Sequence, residues 1–271
     1  MSDVFLNIDE QPKESVSIIS ERLEDRSFKG QFSDFTKEYF DLLDYDENSR
    51  ILELGGGTGV IGRNFIEYRN FKGKYVVSDL SKELLNFGEK KAKELKLDNH
   101  IQFKKIDAMS KIIHDQGFYD AVIMHTLVSH VPNPAVVITN AKKFLKNNGK
   151  IIIFDADYET LLMASGNKKL DEIVNTAIKV GCVAQPKVMR LIPKIAKDLK
   201  LRLSKYKSNL LFEAGSADFF YGMGKALSTA VVKSNQLEKK IADEWIKELE
   251  NAMSENTFFG MCPYITYIYE T

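Results

Sequence analysis

Cysteine and proline are scarce in this chain, and long apolar runs are missing. Among its 271 residues there are two cysteines, Cys182 and Cys262, and six prolines. Two cysteines far apart give neither a disulfide framework nor a thiol cluster with metal spacing. No metal site is therefore expected, and a reduced, cytoplasmic compartment is the simplest expectation. No stretch approaches the roughly 18 consecutive apolar residues that a membrane-crossing helix needs. The first residues, Met1 to Glu10, are acidic and lack the basic start and apolar core of a signal peptide. An excess of either charge is missing too. Lysine plus arginine and aspartate plus glutamate number 38 each, so no bulk field draws nucleic acid or an anionic membrane. No repeat or low-complexity tract is visible.

What the chain has is a core and a glycine turn. Hydrophobic residues make up 44%, enough to fill one large domain. The apolar run Ile51 to Leu54 reads as a buried strand. Glycines follow at Gly55, Gly56, Gly57, Gly59 and Gly62, and a helix opens with Ile61, Phe65 and Ile66 on one face. Glycine permits positive φ and close approach of a ligand. The helix start offers free amides to an anionic group. Two patterns overlap here. Gly57-Thr-Gly59-Val-Ile-Gly62 fits the dinucleotide turn G-x-G-x-x-G. Glu53-Leu-Gly55-Gly-Gly57-Thr-Gly59 fits E-x-G-x-G-x-G.

Before this turn, residues 12–26 and 31–44 read as amphipathic helices, the first with Val16, Ile19 and Leu23 on one face. Gln31, Phe35 and Tyr39 of the second are candidates for a lid over the site. After the turn, Lys74 to Asp79 is a second strand, and Asp79 lies where a carboxylate meets both hydroxyls of a ribose. Its competing role is to cap the helix that begins near Ser81, although Ser81 caps equally well. Ile101 to Ile106 is a third strand, and Asp107 at its end is placed to accept from an adenine amino group. Phe118 to His125 is a fourth strand and Lys150 to Asp155 a fifth. The alternation predicts a doubly wound parallel α/β sheet, with ligands at the carboxyl ends of its strands. Glu53, Gly55, Asp79, Asp107, His125 and Asp155 all fall there. Beyond it, residues 168–181, 186–199, 214–232 and 236–253 read as helices. Leu201 to Ser208 reads as strand six, and Tyr264 to Tyr269 as a closing strand.

These landmarks together resemble a class I S-adenosylmethionine-dependent methyltransferase. They are Glu53 to Gly59, Asp79 after strand two, Asp107-Ala108 after strand three, Tyr119 to His125 with Leu127-Val-Ser-His-Val-Pro-Asn-Pro134, and Ala141 to Asp155. The last two segments are similar to the UbiE-like branch, which methylates small molecules. Met189-Arg-Leu-Ile-Pro193 is similar to the Gly-Arg-x-Leu-Pro of a small-molecule subset and departs from it at Met189. The resemblance implies a Rossmann-like seven-stranded sheet with an antiparallel last strand, N-terminal helices and a helical insertion before the last strand. It implies one domain over 1–271: a lid at 1–47, a cofactor core at 48–157, a substrate region at 158–257 and the last strand at 258–271. Its cofactor would be S-adenosylmethionine. Gly55, Gly57 and Gly59 would pack on the methionine moiety, and Glu53 would hold the turn or the amino group. Asp79 and Leu80 would bind the ribose side, Asp107 and Ala108 the adenine. His125 would sit near the methionine end. Arg63 is read as a solvated helix residue.

A general base is required only when the acceptor arrives protonated. His125, His130 and Asp157 are the leading candidates, with Asp155 and Tyr158 behind them. The acceptor would be a small organic molecule bound by Met163, Met189, Phe212, Phe219, Phe220, Tyr221, Met223 and Phe258, all equally at home in a helix core. Neither nucleic acid nor membrane is expected as a partner, and a homodimer is left open. Two alternatives remain: an NAD(P)-dependent oxidoreductase using Gly57, Gly59, Gly62 and Asp79, and a non-catalytic S-adenosylmethionine-binding protein.

Overall fold

The computed structural model describes residues 13–111 and 114–271. The acidic start and position 12 of the first expected helix lie outside the described residues. Two helices, α1 (Lys13–Ser27) and α2 (Gly30–Phe40), precede the sheet. The alternating part follows as β1 (Arg50–Leu54), α3 (Val60–Arg69), β2 (Lys74–Asp79), α4 (Lys82–Glu94), β3 (Ile101–Lys105), β4 (Tyr119–His125), α5 (Pro134–Phe144) and β5 (Leu145–Ala156). The chain then runs through β6 (Leu162–Ala164), α6 (Lys168–Gly181), α7 (Val188–Asp198), β7 (Arg202–Gly215), α8 (Phe219–Lys233), α9 (Lys239–Ser254) and β8 (Phe258–Glu270).

The strands form one sheet in the order β3-β2-β1-β4-β5-β8, with β6 and β7 both paired to β8. β1 to β5 are parallel, whereas β8 is antiparallel to β5, β6 and β7. The last strand is therefore inserted beside β5, and the sheet-forming part is doubly wound as expected. The described residues form eight strands rather than seven, because three residues of β6 pair with Phe259 to Met261 beyond the end of β5. The expected strand six is β7, which runs on to Gly215, and the following helix starts at Phe219 rather than residue 214. The insertion between β7 and β8 is helical, as expected.

Side chains alternate across a strand, so each parallel strand feeds two cores. Ile51, Val77, Ala121, Ile123, Ile152 and Phe154 pack on one face with Phe40 and Phe65. Leu52, Leu54, Val76, Val122, Met124, Ile151 and Ile153 pack on the other with Val137, Ile138, Val188 and Ile192. Local signals set the helix starts. Ser81 Oγ accepts from Leu84 N at 3.3 Å and caps α4. Asn133 caps α5 ahead of Pro134. At α8 the cap comes from outside: Glu213 accepts from the amides of Asp218, Phe219 and Phe220.

Candidate functional site

The glycine turn opens a cleft at the carboxyl ends of β1, β2, β3 and β4, with a cavity of about 320 Å³. Glu53, Gly55, Gly57, Asp79, Leu80, Asp107, Ala108, His125 and His130 all line it. The structure thus brings most of the sequence-predicted residues into one place. Gly55 and Gly57 have φ of 66° and 56°, a region that other residues enter at a cost. A Cβ at Gly55 would stand 2.5 Å from a Leu127 methyl group. Gly59 is not in the wall. It starts α3 at φ 71°, and a Cβ there would meet Phe103 and Val77. Gly62 likewise serves packing, against Tyr75, so the third glycine of the dinucleotide pattern does not reach the cleft.

Asp79 ties the turn together. One carboxylate oxygen accepts from Gly57 N at 2.8 Å and the other from Ser81 N at 2.9 Å. The α4 cap falls to Ser81, leaving Asp79 in the cleft wall. Asp107, exposed at the rim, accepts from Met109 N and Ser110 Oγ, which shapes the loop after β3. Glu53 is 1% exposed and accepts from the Tyr75 hydroxyl at 3.1 Å. Burial pushes its carboxyl up to about 8, with the Asp79 charge adding to the effect against the pull of Tyr75 and Arg63. His125 is buried against Phe154, and its Nδ1 is 3.0 Å from the Tyr39 hydroxyl. Its Nε2 has no partner among the described residues. Burial, then the charge of Arg26, pushes its pKa well below the ordinary value, so the ring is neutral.

A second, smaller cavity of about 70 Å³ adjoins the first. Arg26 and His130 line both. Of the expected acceptor residues, only Phe219 and Met223 line it. Met163, Met189, Phe220 and Phe258 are buried in the cores. Phe212 lies half-exposed on the β7 edge, and Tyr221 bonds Glu250.

Several expectations need correction. Asp157 lines neither cavity and is not brought to the cleft. Arg190 captures it with two bonds of 3.0 and 2.8 Å. Asp155 is also turned away, accepting from Ser129 N and Oγ to brace the loop after β4. Arg63 is not solvated. It is 2% exposed, pairs with Glu24 at 2.6 Å and donates to Thr58 O at 2.6 Å. Glu24 also accepts from Thr58 Oγ1 at 2.5 Å, so α1 is latched onto the glycine turn. The helix over the cleft is consequently α1, through Leu23, Arg26 and Ser27, rather than α2. Gln31 instead exchanges two bonds with the backbone of Phe212 on the β7 edge.

Sequence reasoning missed Arg26, Leu23, Thr58 and Thr126. Leu23 was visible only as one position of an apolar stripe. Thr58 lies inside the glycine motif and Thr126 directly follows β4, whereas Arg26 carries no local signal because its place depends on how α1 docks.

Comparison with known proteins gives the same frame. The family model described as "Methyltransferase domain" matches residues 45–248. The chain is 26% identical over 112 residues to the ubiquinone/menaquinone biosynthesis C-methyltransferase UbiE of Coxiella burnetii, covering 41% of this chain and 44% of that protein. It is 30% identical over 120 residues to phosphoethanolamine N-methyltransferase 3 of Arabidopsis thaliana, covering 44% of this chain and 24% of that protein. The matched part thus spans less than half the length of these curated relatives. Among solved structures, the YcgJ protein of Bacillus subtilis has a TM-score of 0.58 at 12% identity, over 87% of this chain and 97% of that one. The geranyl diphosphate C-methyltransferase of Streptomyces coelicolor A3(2), solved with S-adenosyl-L-homocysteine, has a TM-score of 0.53 at 15% identity, over 88% of this chain and 75% of that one. With its sheet order, its glycine turn between two carboxylates and a family model matched over most of its length, this chain belongs to the methyltransferase domain family.

Proposed function

We propose that the chain is a methyltransferase that uses S-adenosylmethionine to methylate a small organic acceptor, working as one domain with α1 as its lid. One observation carries this reading. A glycine turn flanked by Glu53 and Asp79 shares its cleft, through Arg26 and His130, with a second chamber of different chemistry. A nucleoside and an acceptor need such a pair of adjoining sites.

The residues fit the cofactor. Asp79 keeps acceptor capacity for a ribose diol beyond its bonds to Gly57 and Ser81. Leu80, 36% exposed in the wall, offers an apolar face to the nucleoside, and Asp107 stands at the adenine end. Glu53 suits an ammonium group. Arg26, whose Nη2 donates to Thr126 Oγ1 at 3.2 Å, suits the methionine carboxylate. The cradle at Gly55, where a Cβ would clash, lets the turn come close. When bound, the cofactor supplies an electrophilic methyl group on a positively charged sulfur.

The chain's own contribution is proximity, alignment and exclusion of water. Latched by Arg63 and Glu24, α1 covers the cleft. His125 is held neutral and oriented by Tyr39. His130 alone among the sequence candidates borders both chambers, so it is placed to take a proton from an acceptor hydroxyl or amine. The acceptor is taken free from solution, without nucleic acid or membrane. The two buried cysteines, not joined in a disulfide, suit a reduced, cytoplasmic setting. A homodimer would have the long β7 edge available, where Tyr206 and Leu210 are exposed.

The test is to incubate the purified chain with methyl-labelled S-adenosylmethionine and a small-molecule library. Label should pass to an organic product as S-adenosylhomocysteine accumulates. Tight S-adenosylhomocysteine binding with no labelled product from any acceptor class would favour the non-catalytic alternative.

A further inference from the structure

The sheet ends in a bare apolar face. In an antiparallel pair, opposed residues point to the same side, and alternate residues of a strand share that side. On β8, Phe258, Cys262, Tyr264 and Ile268 point into the first core, so Phe259, Met261, Pro263, Ile265 and Tyr267 point the other way. The register puts Leu162 and Phe212 on either side of Met261, Leu210 beside Pro263 and Tyr206 beside Tyr267. Phe212 and Phe259 are in ring contact at 5.4 Å. Ile265 and Tyr267 still pack on the second core. Beyond them, Leu162, Phe259, Phe212, Leu210 and Tyr206 belong to neither core, and Tyr206 and Leu210 are 73% and 50% exposed. These five line neither cavity, so the face is separate from the cleft.

Charge is segregated across β7. Lys205, Lys207 and Glu213 lie on its other side, opposite Ile268, Thr266 and Gly260, and there Lys207 pairs with Glu38 of α2. Among the described residues, the apolar side of β6, β7 and β8 carries no lysine, arginine, aspartate or glutamate. Its exposed side chains amount to roughly 600 Å², the upper end of what a monomer leaves uncovered in one patch. Two such faces pressed together bury about 1,200 Å² in total, the lower bound of a stable, specific interface. We propose that this face docks on the same face of a second copy, giving a two-fold symmetric dimer in which the β7–β8 ends of the two sheets stack. Two uncharged faces meet with no unpaired charge to desolvate, and 38 cations against 38 anions leave no long-range repulsion between copies. A bilayer surface is met instead by apolar side chains ringed with lysine and arginine, which this face lacks. Addition of strand to strand is checked at the outer edge, where Gln31 occupies the N–H and C=O of Phe212. Stacked sheets lie about 10 Å apart with their side chains interdigitated, and Tyr206 and Leu210 stand out far enough to do so.

The experiment is sedimentation velocity of the full chain from about 1 to about 100 µM, a range that covers micromolar self-association. The mass should rise from one chain toward two. Leu210→Lys and Tyr206→Lys each set a charge from both copies into the interface and should weaken the dimer at least about tenfold. Both positions are exposed, so the variants should fold as the native chain does. Ile18→Lys, on the outer side of α1, should leave the dimer unchanged. Hydroxyl-radical footprinting of the native chain reads the same face without a substitution: oxidation of Tyr206 and Leu210 should fall as the dimer forms, and unchanged oxidation overturns the proposal. A chain still monomeric at the highest concentration overturns it as well, and co-sedimentation of that monomer with phosphatidylcholine vesicles would give the face to a lipid surface. A dimer untouched by both lysine substitutions also overturns it, because the copies would then meet elsewhere.

Discussion

Replacing Glu53 by glutamine should remove a pH dependence that the native chain places in both its stability and its cofactor affinity. Burial holds the Glu53 carboxyl at about 8, against 4.5 for a free one. Between those values the folded chain keeps a proton that the unfolded chain gives up. Folded protein binds more protons there, so stability falls as pH rises through the window. The favourable contribution is complete below about pH 4.5. The loss reaches about 3 kcal/mol at pH 7 and about 5 kcal/mol above pH 8. Glutamine keeps the bond to the Tyr75 hydroxyl but has no proton to lose, so Glu53→Gln should flatten this component in urea unfolding between pH 5 and pH 8. The same linkage governs the ligand. An ammonium group beside Glu53 favours the carboxylate, and at pH 7 about nine-tenths of the unliganded chain must release a proton to supply it. Affinity for S-adenosylhomocysteine should rise about tenfold from pH 6 to pH 7 and level off above about pH 8. Calorimetry in two buffers of different ionisation enthalpy counts the proton directly. No proton release, or release unchanged in Glu53→Gln, would refute the placement of the cofactor's ammonium group on this carboxyl.

Three further outcomes are expected. Arg63→Met leaves Glu24 without its buried partner and frees α1, so stability should fall by about 3 kcal/mol in urea unfolding, with faster amide exchange across Lys13–Ser27. Asp79→Asn should weaken S-adenosylhomocysteine binding at least about tenfold by calorimetry and cost about 1–2 kcal/mol of stability, because the same carboxylate holds Gly57 N and Ser81 N. Tyr39→Phe removes the hydroxyl at His125 Nδ1 and should destabilise the fold by about 1–3 kcal/mol in thermal or urea unfolding, while S-adenosylhomocysteine still binds.

The parallel core was legible because its signals are local. Ile51 to Leu54, apolar but for Glu53, runs straight into the glycine turn, and strands covered on both faces are largely apolar. Asp79 and Asp107 could be placed because Asp79 ends β2 and Asp107 follows β3 by two residues. Contacts between distant segments were not legible. Arg63 sits at a position that reads as solvated on its own helix, yet Glu24 buries it from 39 residues away. Asp157 was placed correctly after β5, but Arg190 on α7 claims it. Gln31 reads as a lid residue until the β7 edge takes both ends of its amide. The three residues of β6 have too little pattern to mark a strand and exist because β8 offers them a partner.

The central claim is that the cleft at the glycine turn is built for an adenosyl sulfonium cofactor, and calorimetric titration with S-adenosylmethionine, S-adenosylhomocysteine and NADH tests it most directly. Binding of the two adenosyl ligands and not NADH is the predicted result. Binding of NADH alone would contradict it and return Gly57 to Gly62 to a dinucleotide role.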